Sequence, residues 1–451
     1  MNKKSFILLF SLSLAIRLIL LLLIYDQPIK YYSGSDAYNY ENIAENLIQH
    51  GVFSGETQPP LLPNIYRTPV YPYYITGVFL LTGNSVFAVI LIQLLVGSFT
   101  SALMLVLAEN LQLARQIGWT AGLCLALDPL VVFTTYQMIP ETIFIGSLAL
   151  AFVLLTLYFR RRKLSWLLGS AMVFAFTSLT RPINQFLPFA LLPLFFIVME
   201  KREWHQASKN ALLFLALSVL ITYSWAFQNY YETGLFSLSA IGDYNLLYYR
   251  AQEVIIEEQE LSEDEARAIL GKYVQNEVNK NGLTIAEEVG LMREKAFEIF
   301  RQYPMTTLKI HVEGLIKVMA NPGLRLFCIM TVTDRLQPDE FGDITSCEAD
   351  DEDGFIAKVM GKFAPMNWLG IVSSLLEIFL LAGVYIGTVF GIWKLVSKKQ
   401  WYLLGFLLIP ILYFSILSAG GESVARFRIP IVPFLALLAG IGFHRVYEMG
   451  K

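Results

Sequence analysis

The sequence predicts an all-α polytopic membrane protein of about ten transmembrane helices, with outer-surface amphipathic helices and a small helical extracytoplasmic domain. Three observations predict it. Of the 451 residues, 55% are hydrophobic and 16% charged, a balance foreign to water-soluble domains. Apolar runs of about 20 residues recur from end to end, each long enough to cross about 30 Å of hydrocarbon. Lys and Arg collect in alternate short loops, the asymmetry of a chain threaded back and forth through a bilayer. The formal net charge of −3 supplies no basic stripe, so nucleic acid is not an expected partner.

In chain order the candidate spans are 5–24, 86–108, 118–136, 143–159, 164–179, 186–199, 211–227, 371–395, 402–417 and 429–443. The first follows Met1-Asn2-Lys3-Lys4 and shows no small-residue cleavage pattern after Ile24, so it is expected to remain as an anchor. The third is interrupted by Asp128-Pro129. A charge at the centre of a lipid-facing helix costs about 3 kcal/mol. That helix is therefore expected to end near Asp128, with 130–140 returning along the outer surface, buried against protein, before Glu141 opens the next span.

Lys3-Lys4, Arg115, Arg160-Arg161-Arg162-Lys163, Lys201-Arg202 with Lys209, Lys394 with Lys398-Lys399, and Arg445 with Lys451 fall on one side. The positive-inside rule makes that side the cytoplasm and leaves both termini there. The apolar patch 314–332 contains Lys317, Asn321-Pro322 and Arg325; as a span it would export the basic loop at Lys394, so it is assigned to the outer surface. Three regions follow: an N-terminal membrane module (1–227), an extracytoplasmic helical region with an acidic loop (228–369), and C-terminal membrane helices (370–451).

Within the middle region Ser262 precedes Glu263-Asp264-Glu265, a capped helix start, and charges alternate at helical spacing over 266–278 and 286–303. Glu348-Ala349-Asp350-Asp351-Glu352-Asp353 lacks the glycine and ligand periodicity of a calcium loop and reads as a solvated acidic loop. Cys328 and Cys347 share one polar region, and a single disulfide or two free thiols are equal readings of the pair.

The first outer loop carries the most chemistry. Ser35 can cap a helix opening at Asp36, in which Tyr40, Ile43, Ala44 and Leu47 recur at three- and four-residue spacing and form a face that lies on the bilayer. With the topology drawn, Asp36, Arg67, Glu141, Arg181, Glu422, Arg426 and Arg428 all reach the outer surface, although far apart in sequence. Arg67-Thr68-Pro69, Arg181-Pro182 and Arg428-Ile429-Pro430 each set a guanidinium just before a rigid turn, where it can be aimed. Paired N–H donors and a permanent charge suit phosphate. A carboxylate beside several arginines at the mouth of a lipid-accessible cavity fits transfer from a lipid phosphate. No GxxxxGK[ST] or GxGxxG motif indicates a soluble nucleotide.

Asp36-Ala37-Tyr38-Asn39-Tyr40 with Ile43-Ala44, Gly51-Val52-Phe53, Tyr66-Arg67-Thr68-Pro69-Val70-Tyr71-Pro72, the Pro140-Glu141 turn and Arg426-Phe427-Arg428-Ile429-Pro430 together resemble the GT-C class of membrane glycosyltransferases. The resemblance is especially to bacterial relatives of protein O-mannosyltransferases and of the transferase that adds aminoarabinose to lipid A. The resemblance implies catalytic roles for Asp36, as base or acceptor-orienting acid, and for Glu141 in support. It implies donor-phosphate contacts from Arg67, Arg426 and Arg428, to which the convergence argument adds Arg181. Tyr38, Tyr71 and Glu422 complete the expected set as acceptor or sugar contacts. Where the mannosyltransferases carry Asp-Glu, Asp36 is followed by Ala37, so protein mannosylation is not the expectation.

The expected reaction is an inverting transfer from a polyprenyl-phosphate sugar to a hydroxyl of a lipid, glycan or protein, at the outer face of a bacterial inner membrane. No cofactor is required by this scheme; a divalent cation is left open. A flippase or transporter of lipid-linked saccharides would share the spans and basic contacts, but such folds commonly show matched halves with broken helices at mid-membrane. An oligosaccharide polymerase or ligase would differ mainly in donor length.

Overall fold

The computed structural model describes residues 3–24, 31, 34–198, 203–331, 363 and 366–449. Among them the chain is helical with no strand, as predicted for an all-α membrane protein. Among the described residues six helices are long and apolar enough to cross a membrane: Lys3–Ile24, Val86–Asn110, Glu141–Arg161, Trp204–Thr233, Trp368–Ser397 and the segment Ala425–His444. The pair Arg115–Leu127 and Pro129–Tyr136, bent by 57°, makes a seventh if taken as one broken span. The other three expected spans correspond to shorter apolar helical segments at Leu164–Thr180, Pro182–Val198 and Trp401–Leu417. Length alone therefore does not carry the count of ten. A further short apolar helix, Val70–Thr82, falls outside the ten predicted runs.

The helices are named α1 (Lys3–Ile24), α2 (Gly34–His50), α3 (Val70–Thr82), α4 (Val86–Asn110), α5 (Arg115–Leu127), α6 (Pro129–Phe133), α7 (Glu141–Arg161) and α8 (Leu164–Thr180). After two short helices, α9 (Leu187–Ala190) and α10 (Leu192–Val198), comes α11 (Trp204–Thr233). The break between α5 and α6 lies at Asp128, whose carboxylate accepts the Val131 N–H at 2.9 Å while Pro129 takes the first helical position. The interruption expected there is thus a helix cap, and the returning segment is buried against protein. Helix α7 is buried along nearly its whole length and forms the centre of the bundle. Arg17, the one charge beyond the first turn of α1, points inward; its guanidinium donates to the carbonyls of Ser13 and Leu125 at 3.4 and 3.3 Å, as a charge at membrane depth must.

Beyond α11 stand α12 (Ile241–Asn245), a π-helix (Leu246–Ala251), α13 (Gln252–Gln259), α14 (Glu263–Asn281), α15 (Ile285–Gln302), α16 (Pro304–Ala320) and α17 (Leu324–Thr331). Helices α14 and α15 each start with a reciprocal capping box, Ser262 with Glu265 and Thr284 with Glu287, which satisfies donors the first turn would otherwise leave open. Leu247, Val254, Leu270, Val274, Met292 and Ile299 build a core here that is separate from the membrane bundle. The patch beginning at Gly314 is divided between α16 and α17 rather than forming one span. Cys328 is disulfide-bonded; Cys347 and the acidic run 348–353 lie outside the described residues.

The chain ends with α18 (Trp368–Ser397), α19 (Trp401–Leu417), a 3-10 turn (Ala425–Ile431) and α20 (Val432–Met449). Helices α18 and α20 approach closely through Gly387, Gly391 and Gly442, where any added Cβ would overlap the facing backbone. Apolar residues from α1, α4, α7, α18 and α20 share a single core. The N- and C-terminal membrane helices therefore pack as one bundle, which carries the last 3-10 turn to the mouth of the first-loop helix.

Candidate active site

Helix α2 buries Ala37, Tyr40, Ile43 and Ala44 on one face and turns its polar face toward the loop that follows. It begins at Gly34, two residues before Asp36; the side chain of Ser35, the expected cap, lies outside the described residues. Asn46 Nδ2 donates to the carbonyls of Ser54 and Glu56, both at 2.8 Å, which folds the loop back along the helix. The Asn64 side-chain oxygen then accepts the N–H groups of Tyr66 and Arg67 at 3.0 and 2.9 Å. This side-chain turn mimics a backbone turn and directs Arg67 at α2.

Arg67 Nη2 donates to Asp36 Oδ1 at 2.6 Å, and Nε to Asn39 Oδ1 at 3.1 Å. Its guanidinium also sits 4.9 Å from the centre of the Tyr40 ring, a cation–π contact that fixes its plane. From the far end of the chain, Arg426 Nη2 donates to the other Asp36 oxygen at 3.0 Å. Asp36 is thus bridged by one arginine from the loop after α2 and one from the 3-10 turn before α20.

Glu141, in the first turn of α7, forms the floor. Its Oε1 accepts from Arg181 Nη1 at 2.9 Å and lies 3.8 Å from Arg426 Nε. Its other oxygen, Oε2, is buried without a hydrogen-bond partner among the described residues. Thr68 donates to the Thr180 carbonyl at 3.0 Å, pinning the Arg67 loop beside Arg181. The Phe427 ring lies 5.6 and 5.8 Å from the guanidiniums of Arg181 and Arg426. Side-chain exposure falls from 31% at Asp36 and 28% at Arg426 to 3% at Glu141. The cluster is open at its rim and closed at its base.

Three guanidiniums face two carboxylates, so the cluster carries one excess positive charge. Burial alone would raise the Asp36 carboxyl, but the charges of Arg67 and Arg426 outweigh it and hold the carboxyl well below the usual carboxylate range. Such a site attracts an anion whose oxygens can replace carboxylate oxygens on the arginines. No cluster of three or more His, Cys, Asp or Glu positioned for a metal occurs among the described residues, and both carboxylates here are engaged by arginine.

Five of the nine residues singled out from the sequence meet in this cluster: Asp36, Arg67, Glu141, Arg181 and Arg426. The other four stand elsewhere. Arg428 is completely buried, donating to Glu377 Oε1 at 2.6 Å and to the carbonyls of Val318, Met319 and Asn321 at 3.0, 3.3 and 2.8 Å. Both of its Nη groups are occupied by protein. Glu422 accepts from Arg250 Nη2 and Nε at 2.7 and 2.9 Å. Tyr71 is buried beneath Tyr40, ring centres 4.9 Å apart, with its hydroxyl on Gln93 Oε1 at 2.7 Å. Tyr38 lies on α2, partly exposed. Asn39, Asn64 and Phe427 were not foreseen; Asn39 lies one turn from Asp36, the spacing that would have marked it.

The fold aligns with the archaeal oligosaccharyltransferase AglB from Archaeoglobus fulgidus, solved with an inhibitory peptide and a dolichol-phosphate. The match has a TM-score of 0.51 and 11% identity, over 99% of this chain and 51% of that one. The apo form of the A. fulgidus oligosaccharyltransferase aligns with a TM-score of 0.53 at 12% identity, over 99% and 51%. ArnT from Cupriavidus metallidurans bound to undecaprenyl phosphate aligns with a TM-score of 0.43 at 12% identity, over 99% and 79%. The chain spans about half the length of the archaeal enzyme. No curated protein matches it in sequence. The architecture is that of the GT-C class of membrane glycosyltransferases, as the motif resemblance implied. Residues 66–241 match the family model described as dolichyl-phosphate-mannose-protein mannosyltransferase.

Proposed function

We propose that the protein transfers a sugar from a polyprenyl-phosphate donor to a hydroxyl acceptor at the outer face of the membrane, with inversion at the anomeric carbon. The observation that carries this reading is the bridging of Asp36 by Arg67 and Arg426, a carboxylate held by the groups a phosphate would claim. The dolichol-phosphate bound to the archaeal enzyme of the same fold supports the donor class, as does the described activity of the matching family model. The basic loops on the opposite side support a site facing the periplasm or exterior of a bacterial inner membrane.

In the resting cluster Asp36 is a poor base, because two cations stabilise its ionised form. A donor phosphate entering between Arg67 and Arg426 draws their N–H groups to itself. The carboxylate, relieved of them, regains affinity for a proton. The acceptor hydroxyl then attacks the anomeric carbon from the face opposite the phosphate. The new C–O bond forms as the bond to the phosphate oxygen breaks, the electron pair leaves on polyprenyl phosphate, and the hydroxyl proton passes to Asp36. Arg67 and Arg426 stabilise the charge on the departing phosphate. Arg181 and Glu141 hold Arg426 from below. No step in this scheme calls on a divalent cation.

Asp36→Asn tests the base directly. Removing a positioned base is expected to lower transfer about 10²- to 10⁴-fold, while polyprenyl-phosphate binding is retained or tightened because a competing anion is gone. Near-normal transfer by Asp36→Asn from a panel of radiolabelled polyprenyl-phosphate sugars sinks the assignment. Arg67→Ala is expected to raise the donor KM about 10-fold or more, the worth of a charge-assisted hydrogen bond, with a smaller effect on the acceptor. Movement of the glycolipid across the bilayer without transfer would identify a transporter.

A further inference from the structure

The extramembrane helices carry a second group of side chains to the rim, and the proposed reaction does not use them. Tyr66, the residue before Arg67, sets its ring edge-to-face against Tyr244, centres 5.9 Å apart. Tyr244 in turn packs against Tyr248 and Tyr249 at 4.7 and 6.2 Å. Tyr249 is within electrostatic reach of Asp36.

Tyr248 and Tyr249 stand on the π-helix, a rare geometry concentrated at functional sites. Its setting is pinned from three directions. Arg250, on the same π-helix, grips Glu422, four residues before Arg426. Arg293 clamps Asp243 at 2.7 and 3.0 Å. Ser239 Oγ and Ala240 N donate to the carbonyls of Tyr66 and Ile65 at 2.6 and 2.9 Å. The platform and the Arg67 loop are therefore joined.

The hydroxyls of Tyr66, Tyr244 and Tyr248 donate to no other described residue. Arg267, over Tyr249 at 5.8 Å, and Glu288, beside Tyr66, flank the group with opposite charges. A phosphorylated or polyanionic ligand would find no net attraction there. Ring faces with unclaimed phenols suit a neutral ligand that has an apolar C–H face and a fringe of hydroxyls. A pyranose is such a ligand.

We propose that Tyr66, Tyr244, Tyr248 and Tyr249 form the acceptor subsite and that the acceptor is a saccharide, its ring stacked on the tyrosines with one hydroxyl directed at Asp36. This deepens the glycosyltransferase reading and rests on it.

The test uses the full chain in phospholipid nanodiscs, with methyl glucoside, methyl galactoside and methyl mannoside as probes and saturation-transfer NMR as the readout. Saturation of the ring protons of at least one glycoside is expected. Tyr244→Leu and Tyr249→Leu should each reduce it about five-fold, the worth of an aromatic contact. Absence of saturation from all three glycosides, or equal saturation in the leucine variants, overturns the proposal. If the leucine variants do not fold, Tyr244→Phe and Tyr248→Phe carry the same test through their hydroxyls alone, with a reduction supporting the subsite and no change overturning it. Undecaprenyl-phosphate binding on the same samples separates the two readings. It should survive every tyrosine variant and weaken in Arg67→Ala; if it does not weaken there, the donor site fails whatever the glycosides do.

Discussion

At Asp36 the two oxygens of one carboxylate take different arginines, and this decides how the residue responds to pH. Its folded value lies below the usual carboxylate range because the charges of Arg67 and Arg426 outweigh burial. A group depressed in this way contributes stability that is fully present above its unfolded value of about 4 and is lost as pH falls through the folded value. The difference in thermal midpoint between the wild type and Asp36→Asn should therefore be level from about pH 5 to 8 and shrink below about pH 4. A difference that changes steadily across the neutral range would mean that Asp36 is not held by both arginines. Residue chemistry alone made Asp36 and Arg67 candidates, since a carboxylate in a helix's first turn and an arginine before Thr-Pro are both visible in the sequence.

The 3-10 turn Ala425–Ile431 explains why the two late arginines part company. Residues two apart on so tight a turn point to different sides. Arg426 reaches Asp36, and Arg428 reaches Glu377 inside the bundle. Arg428 thus ties the turn to α18 and to the end of α16, which fixes the element that presents Arg426. Removing one member of a buried ion pair leaves a stranded charge, so Arg428→Met should destabilise by about 3–5 kcal/mol. Adding Glu377→Leu should recover much of the loss, as read from thermal unfolding in detergent; a double variant no better than the single would show that the pair is not the origin of the cost. Helices α18 and α20 make a second test. At Gly391 a side chain would meet the Leu438 carbonyl, so Gly391→Leu must separate two helices that sequence hydropathy marks only as apolar. A markedly lower thermal midpoint is expected, while Gly383→Leu, with open space at the Cβ position, should have little effect.

Across the whole molecule, the site depends on one bundle built from both ends of the chain, since Asp36 and Arg426 stand 390 residues apart. The charge asymmetry of the loops supports the proposed orientation, with the Lys398-Lys399 loop cytoplasmic and the cluster outside, and the disulfide at Cys328 accords with it. An epitope inserted after Lys399 should be shielded in intact cells and become accessible on permeabilisation; labelling from the exterior would invert the topology and remove the site from the outer face.

Hydropathy and charge in linear order were enough to read a helical membrane protein and to count the five ionisable residues that meet among seven candidates, because bilayer thickness and the cost of burying charge act on local segments. They could not separate Arg426 from Arg428, or Tyr71 from a surface tyrosine, because each pair differs only in which side of a turn or helix faces the protein. Nor did the run Tyr244 to Arg250 announce its neighbours: a tyrosine on a polar helix looks the same whether its ring meets water or Tyr66. Those distinctions arise from distant segments packing together, and contacts across hundreds of residues leave no periodic trace in the chain.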